Sequence, residues 1–87
     1  MSHYHILITP KAQKELKKID RSQLQRLDAA ILKLELTPFP PGVKRIIADD
    51  VADYRIRIGD YRILYDVDVN NKTIIILRVG HRKDIYR

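Results

Sequence analysis

Three arginines lie within eight residues along Tyr54-Arg55-Ile56-Arg57-Ile58-Gly59-Asp60-Tyr61-Arg62-Ile63-Leu64-Tyr65. The runs on either side of Gly59-Asp60 alternate strictly, which predicts two strands joined by a two-residue hairpin turn. Register then follows by counting: Ile58 faces Tyr61, Arg57 faces Arg62, and Ile56 faces Ile63. Tyr54, Ile56, Ile58, Tyr61, Ile63 and Tyr65 share one face and are expected to pack under helices, whereas Arg55, Arg57 and Arg62 share the other. Like charges directly opposite on a sheet cost about 0.2–1 kcal/mol, and selection for folding alone would place Thr or Glu there. The arginines can splay into water or be neutralised by a neighbouring acid. The alternative, which we favour, is that the pair serves an anion, because a guanidinium holds phosphate through several fixed donors and stays charged.

A second concentration of functional groups closes the chain. Arg78-Val79-Gly80-His81-Arg82-Lys83-Asp84-Ile85-Tyr86-Arg87 contains a histidine, a tyrosine and four cationic side chains. Basic tails are often merely solvated, but here the histidine follows a strand and a glycine, where a turn can aim side chains over a sheet. Phosphate-binding arginines, a ring able to stack on a base and an imidazole able to exchange a proton together make up the equipment of a ribonuclease. Lys44 and Arg45, on a short predicted strand from Val43 to Ala48, extend the basic set.

Bulk composition agrees with an anionic partner. The 87 residues carry 17 Lys and Arg against 11 Asp and Glu, a net charge of +6, so nucleic acid or an acidic protein is the expected ligand. The absence of cysteine removes disulfides, thiolate metal sites and thiol nucleophiles. His3 and His5 share a strand face but have no evident third ligand, and Asp49, Asp50 and Asp53 read as a turn and the start of a strand. With three glycines there is no glycine-rich phosphate loop. No metal and no cofactor are expected. The longest apolar stretch, Ile74-Ile75-Ile76-Leu77, is too short to cross a bilayer, and a soluble cytoplasmic protein is the expectation.

The elements that must position these groups can be read in order. Tyr4 to Ile8 alternates and predicts a strand, stopped by Thr9-Pro10, which caps and starts a helix. Ala12, Leu16 and Ile19 form its apolar stripe. After a polar break at Asp20 to Ser22, where Asp20 and Gln23 resemble a capping box, Leu24, Leu27, Ile31 and Leu34 mark a second amphipathic helix. Pro38-Phe39-Pro40-Pro41-Gly42 cannot continue it. Two helices with so short a break form an antiparallel hairpin. From Val43 the texture is β: Asp49-Asp50 a turn, Tyr54 to Ile58 and Tyr61 to Val69 strands, Asn70-Asn71 a turn, and Lys72 to Val79 a buried strand. The expected architecture is a single α+β domain over residues 1–87: a strand, an antiparallel two-helix hairpin, then an antiparallel β-meander, with the helices on one face of the sheet.

With Leu77-Arg78-Val79-Gly80-His81-Arg82-Lys83-Asp84-Ile85-Tyr86 added to the hairpin run, the sequence resembles the RelE branch of the RelE/ParE toxin superfamily over nearly its whole length. The resemblance implies a toxin of a type II toxin–antitoxin system that enters the ribosomal A site and cuts messenger RNA. In that reaction the 2′-hydroxyl attacks the adjacent phosphate, leaving a 2′,3′-cyclic phosphate and a free 5′-hydroxyl. Motif for motif, Arg57, Arg62, His81, Arg82 and Tyr86 fall on the catalytic positions, and Arg55, Lys44, Arg45, Arg78 and Lys83 become candidate RNA- or phosphate-binding residues. The best-known pattern has lysines at positions 55 and 57. Arginine does not give up its proton, so proton abstraction passes to His81, with Lys44 and Tyr86 as fallbacks. The resemblance also implies a cognate antitoxin, a hetero-oligomer with it, and the ribosome and messenger as partners, with no role for a membrane. The alternatives are a ParE-type gyrase poison, a non-catalytic RNA-binding module, and a scaffold whose basic groove only binds an acidic partner.

Overall fold

Thr9 does two jobs where the first strand becomes a helix. In the computed structural model, which describes residues 3–46 and 51–85, its hydroxyl accepts from the Ala12 N–H at 3.2 Å and donates to the Leu77 carbonyl at 3.3 Å. The cap that starts α1 (Pro10–Lys17) therefore also anchors it to the sheet. The helix α2 (Arg21–Lys33) follows after a short break. Its N-terminus departs from the expected capping box: the Asp20 carboxylate caps no helix N–H and instead accepts from the Ser22 hydroxyl. At the other end, the Tyr4 N–H donates to the Glu35 carbonyl at 2.8 Å, tying the exit of α2 to the start of the first strand.

Five strands form one sheet: β1 (His5–Ile8), β2 (Lys44–Arg45), β3 (Tyr54–Ile58), β4 (Tyr61–Asp68) and β5 (Thr73–His81), in the order β1-β5-β4-β3-β2. The meander is antiparallel as expected, but β1 pairs with β5 in parallel, Ile6 beside Ile74 and Ile8 beside Ile76, so the sheet is mixed. The β2 strand is shorter than the run predicted from Val43 to Ala48. The turn expected at Asp49-Asp50 and the end of that run, residues 47–50, lie outside the described residues.

The hairpin register follows the counting, with Ile58 opposite Tyr61, Arg57 opposite Arg62 and Ile56 opposite Ile63. Gly59 has φ +59°, the left-handed conformation such turns require. The apolar hairpin residues join Ala12, Leu27, Ile31, Leu34, Ile74, Ile76 and Val79 in the main core between helices and sheet. Tyr65 is buried in that core and donates to the Pro38 carbonyl at 2.8 Å, fixing the proline-rich loop against the sheet.

The β4–β5 register slips at Leu64/Tyr65, where Leu64 pairs with Arg78 but Tyr65 with Ile76, leaving Leu77 as the extra residue of a bulge. Ile74, Ile76 and Val79 all face the helices. Leu64 and Leu77 face the opposite side, where they pack with Ala52, Ile85 and Ile46 in a second, smaller cluster. Half-buried Ile75 and Leu77 reflect this partial cover, whereas the sequence predicted a strand buried throughout.

Replacing Tyr65 by Phe removes the donor to Pro38 without changing the packed ring. We expect a loss of about 0.5–1.5 kcal/mol in unfolding free energy, measured by urea denaturation followed by far-UV circular dichroism.

Candidate nucleic-acid interface

Paired residues on neighbouring strands point to the same side, and the pairings define what the open face of the sheet carries. Lys44 pairs with Arg55, Arg55 with Leu64, and Arg57 with Arg62. Leu64 belongs to the small cluster away from the helices, so Lys44, Arg55, Arg57 and Arg62 all lie on that face, contributed by β2, β3 and β4. The sequence placed the three arginines together, and the structure adds Lys44. Arg45 pairs with Tyr54, a member of the helix-side core, and faces the other way.

The arginine pair is not symmetric. Arg57 is exposed, whereas Arg62 is 8% exposed and curls back on the hairpin, its Nη1 donating to the carbonyls of Gly59 at 3.2 Å and Tyr61 at 3.0 Å. The repulsion anticipated between opposite arginines is relieved by this turn of one guanidinium onto backbone oxygens. The same face also holds Asp66, whose Oδ1 accepts from the Asp53 N–H. Burial raises the Asp66 carboxyl above its ordinary value, the Asp53 N–H lowers it, and the nearby Asp53 charge raises it again, with a net upward shift.

The C-terminal residues divide between the two sides. His81 pairs with Tyr61, and the two rings meet edge to face with centroids 5.6 Å apart. His81 therefore sits on the helix side near Asp20 and Gln23, at the hairpin end of the sheet but across it from the arginine face. Its Nδ1 accepts from the Lys83 N–H at 3.1 Å, which leaves the proton of the neutral ring on Nε2. That tautomer presents an N–H, a hydrogen-bond donor, on Nε2. The expectation that His81 stands with Arg57 and Arg62 as their base is not what the geometry offers.

Arg82 is exposed, its backbone N–H bonded to the Asp60 carbonyl at 2.8 Å and its Nε 3.9 Å from the Asp60 carboxylate. Lys83 is also exposed. Arg78, expected among the phosphate binders, is engaged by Glu15 in a partly buried ion pair of 2.7 Å. Ile85 reaches the open face, where its Cδ1 lies 3.1 Å from the position a Cβ on Gly80 would take. The glycine thus makes room for the turn that carries the chain's last described residue. Tyr86 lies outside the described residues. Among these residues no group of three or more His, Cys, Asp or Glu could hold a metal, and no helix is long and apolar enough to cross a membrane.

Residues 6–86 match the model of the ParE toxin of type II toxin–antitoxin systems. The chain belongs to the RelE/ParE family of type II toxins. It is 34% identical to Toxin RelG of Mycobacterium tuberculosis, over 97% of both chains. Its fold matches the crystal structure of the toxin–antitoxin complex RelBE2 of Mycobacterium tuberculosis with a TM-score of 0.81 and 28% identity, covering 92% of this chain and 99% of that one. The archaeal RelE–RelB complex of Pyrococcus horikoshii gives a TM-score of 0.81 at 29% identity, over 94% of this chain and 98% of that chain.

Asp66 provides a test of the open-face electrostatics. With its native carboxyl shifted upward, its charge begins to cost stability as pH rises past the unfolded value, and the penalty is complete above the native one. Asp66→Asn is therefore expected to gain stability relative to the parent protein near neutrality and to lose that advantage in acid. Thermal unfolding midpoints of the two proteins across pH check this, since every other titrating group is common to both.

Proposed function

We propose that this toxin is a ribosome-dependent, metal-independent endoribonuclease that cuts messenger RNA in the A site and so stops translation. The observation that carries the reading is the convergence of Lys44, Arg55, Arg57 and Arg62 on one sheet face, beside the C-terminal turn seated there by Ile85. Four cations from three strands form a surface for a phosphodiester backbone.

In the proposed reaction the messenger's 2′-oxygen attacks the adjacent phosphorus, and the bond to the 5′-oxygen breaks. The products are a 2′,3′-cyclic phosphate and a 5′-hydroxyl. Arg57 and Arg62 stabilise the charge on the pentacoordinate phosphate, and Arg55 holds a neighbouring phosphate. Lys44 is the one cation of the four able to release a proton, and it takes the proton of the 2′-hydroxyl. Arg82 serves the leaving 5′-oxygen, Tyr86 hands that oxygen a proton or stacks on a base, and His81, across the sheet, takes no part in the transfer. Arg78 and Arg45 are outside this contact set. The ribosome contributes by holding the messenger in line for attack.

Relatives of this chain have been solved in complex with RelB antitoxins. We infer a cognate antitoxin and a hetero-oligomer here too, with an acidic antitoxin segment matched to the net charge of +6. The ParE description of the matching family model supports a second reading, inhibition of DNA gyrase on the same scaffold.

Programmed ribosomes carrying a defined messenger separate the two. Cuts within the A-site codon, bearing cyclic phosphate ends and needing the ribosome, are the expected result. No cuts, with gyrase supercoiling inhibited instead, would replace this reading by the second. Exposed Lys44 and Arg57 are the cleanest probes: each alanine variant should keep its fold and lose at least about 10²-fold in single-turnover rate, whereas Arg62→Ala also removes a hairpin contact.

A further inference from the structure

Beyond the end of β1 the outer edge of β5 is open, and one carboxylate closes it. Glu15, on α1, accepts from Arg78 Nε at 3.3 and 3.1 Å, from Arg78 Nη2 at 2.7 Å and from the Val79 N–H at 3.0 Å. The two side chains are 20% and 16% exposed, so the pair is partly withdrawn from water and loses little to screening. The other end of the same guanidinium, Nη1, donates to the Ile85 carbonyl at 3.2 Å. Arg78 thus runs from the helix layer, around the sheet edge, to the turn on the open face.

That turn is held by several contacts. The His81 carbonyl accepts from the N–H groups of Asp84 at 2.8 Å and Ile85 at 3.0 Å, the Ile85 side chain packs against Gly80, and Arg78 holds the Ile85 carbonyl. The turn is also tied to the sheet, by Ile85 packing on Ala52 and Leu64 and by the Arg82 N–H bond to the Asp60 carbonyl. Arg78 is the tie that relates it to the helix layer, and its geometry is imposed by Glu15, since a guanidinium is a rigid fork whose far nitrogen goes where the near ones are held. His81 and Arg82 belong to this segment.

We propose that Glu15 is a positioning residue: through Arg78 it sets the C-terminal turn, and with it Arg82, against the cationic face. The proposal rests on the ribonuclease reading for its kinetic arm but not for its structural one. Glu15 itself touches no substrate. A carboxylate spent only on stability would, when removed, lower the unfolding midpoint and leave turnover by the folded protein unchanged.

The test compares Glu15→Gln and Arg78→Lys, singly and together, with Ile31→Val as a core control of ordinary destabilising effect. Glu15→Gln keeps the shape but faces Arg78 with a neutral amide, and Arg78→Lys keeps the charge but cannot bond Glu15 and the Ile85 carbonyl at once. Amide exchange of Asp84 and Ile85 in the free toxin should quicken in both variants and not in the control. On programmed ribosomes both should lose on the order of 10²-fold in kcat with KM unchanged, because Lys44, Arg55 and Arg57 are untouched, and the double variant should be no worse than either single one. Normal exchange at Asp84 and Ile85 in Glu15→Gln would overturn the proposal. So would quickened exchange with full kcat, which leaves Glu15 a purely structural residue. If the parent protein does not cut RNA, the ribonuclease reading falls, and the exchange arm alone decides whether Glu15 sets the turn.

Discussion

The bulge at Leu77 determines which side of the sheet each later residue occupies. Side chains alternate along a strand, so one extra residue exchanges the faces of everything beyond it. Ile74 and Ile76 face the helices before the bulge, and Val79 faces them after it. The core stays continuous over the length of β5 because its two halves are offset by the inserted residue. The same offset puts Gly80 on the open face, where Ile85 needs the space, and puts His81 beside Tyr61 on the other. The place of the C-terminal turn beside the cationic surface is thus a by-product of keeping one apolar layer unbroken.

Local periodicity made much of this legible from the residues alone. The hairpin could be read to the exact pair because Tyr54 to Ile58 alternates strictly, Tyr61 to Ile63 resumes the pattern, and Gly59-Asp60 marks a two-residue turn. The caps and breaks at Thr9-Pro10 and Pro38–Gly42 are also local chemistry, and they fell where expected. The joint placement of Arg55, Arg57 and Arg62 followed directly from that register.

What escaped the sequence is what depends on distant partners. Strict alternation from Ile74 assigns His81 to the arginine face, and no residue type marks Leu77 as an insertion, since an apolar bulge residue looks like any strand residue. Arg78 reads as one more member of a basic tail until Glu15, far back in the chain, arrives beside it. Lys44 joins the arginines only through a two-residue strand whose pairing its own sequence barely signals. Arg62 is withdrawn from water because its reach back to the Gly59 carbonyl depends on rotamer, which a pattern of faces does not specify.

The parallel pairing of β1 with β5 has a consequence for how the toxin comes into being. The last described strand in chain order occupies the interior of the sheet, between β1 and β4, and supplies Ile74, Ile76 and Val79 to the core. Without β5, β1 has no strand partner, and the core formed by Leu27, Ile31, Leu34, Ile56, Ile63 and Tyr65 lacks Ile74, Ile76 and Val79. Such long-range closure is slow, and it leaves exposed strand edges while it is pending. The apolar layer that backs the basic face is therefore complete only once β5 has docked between β1 and β4.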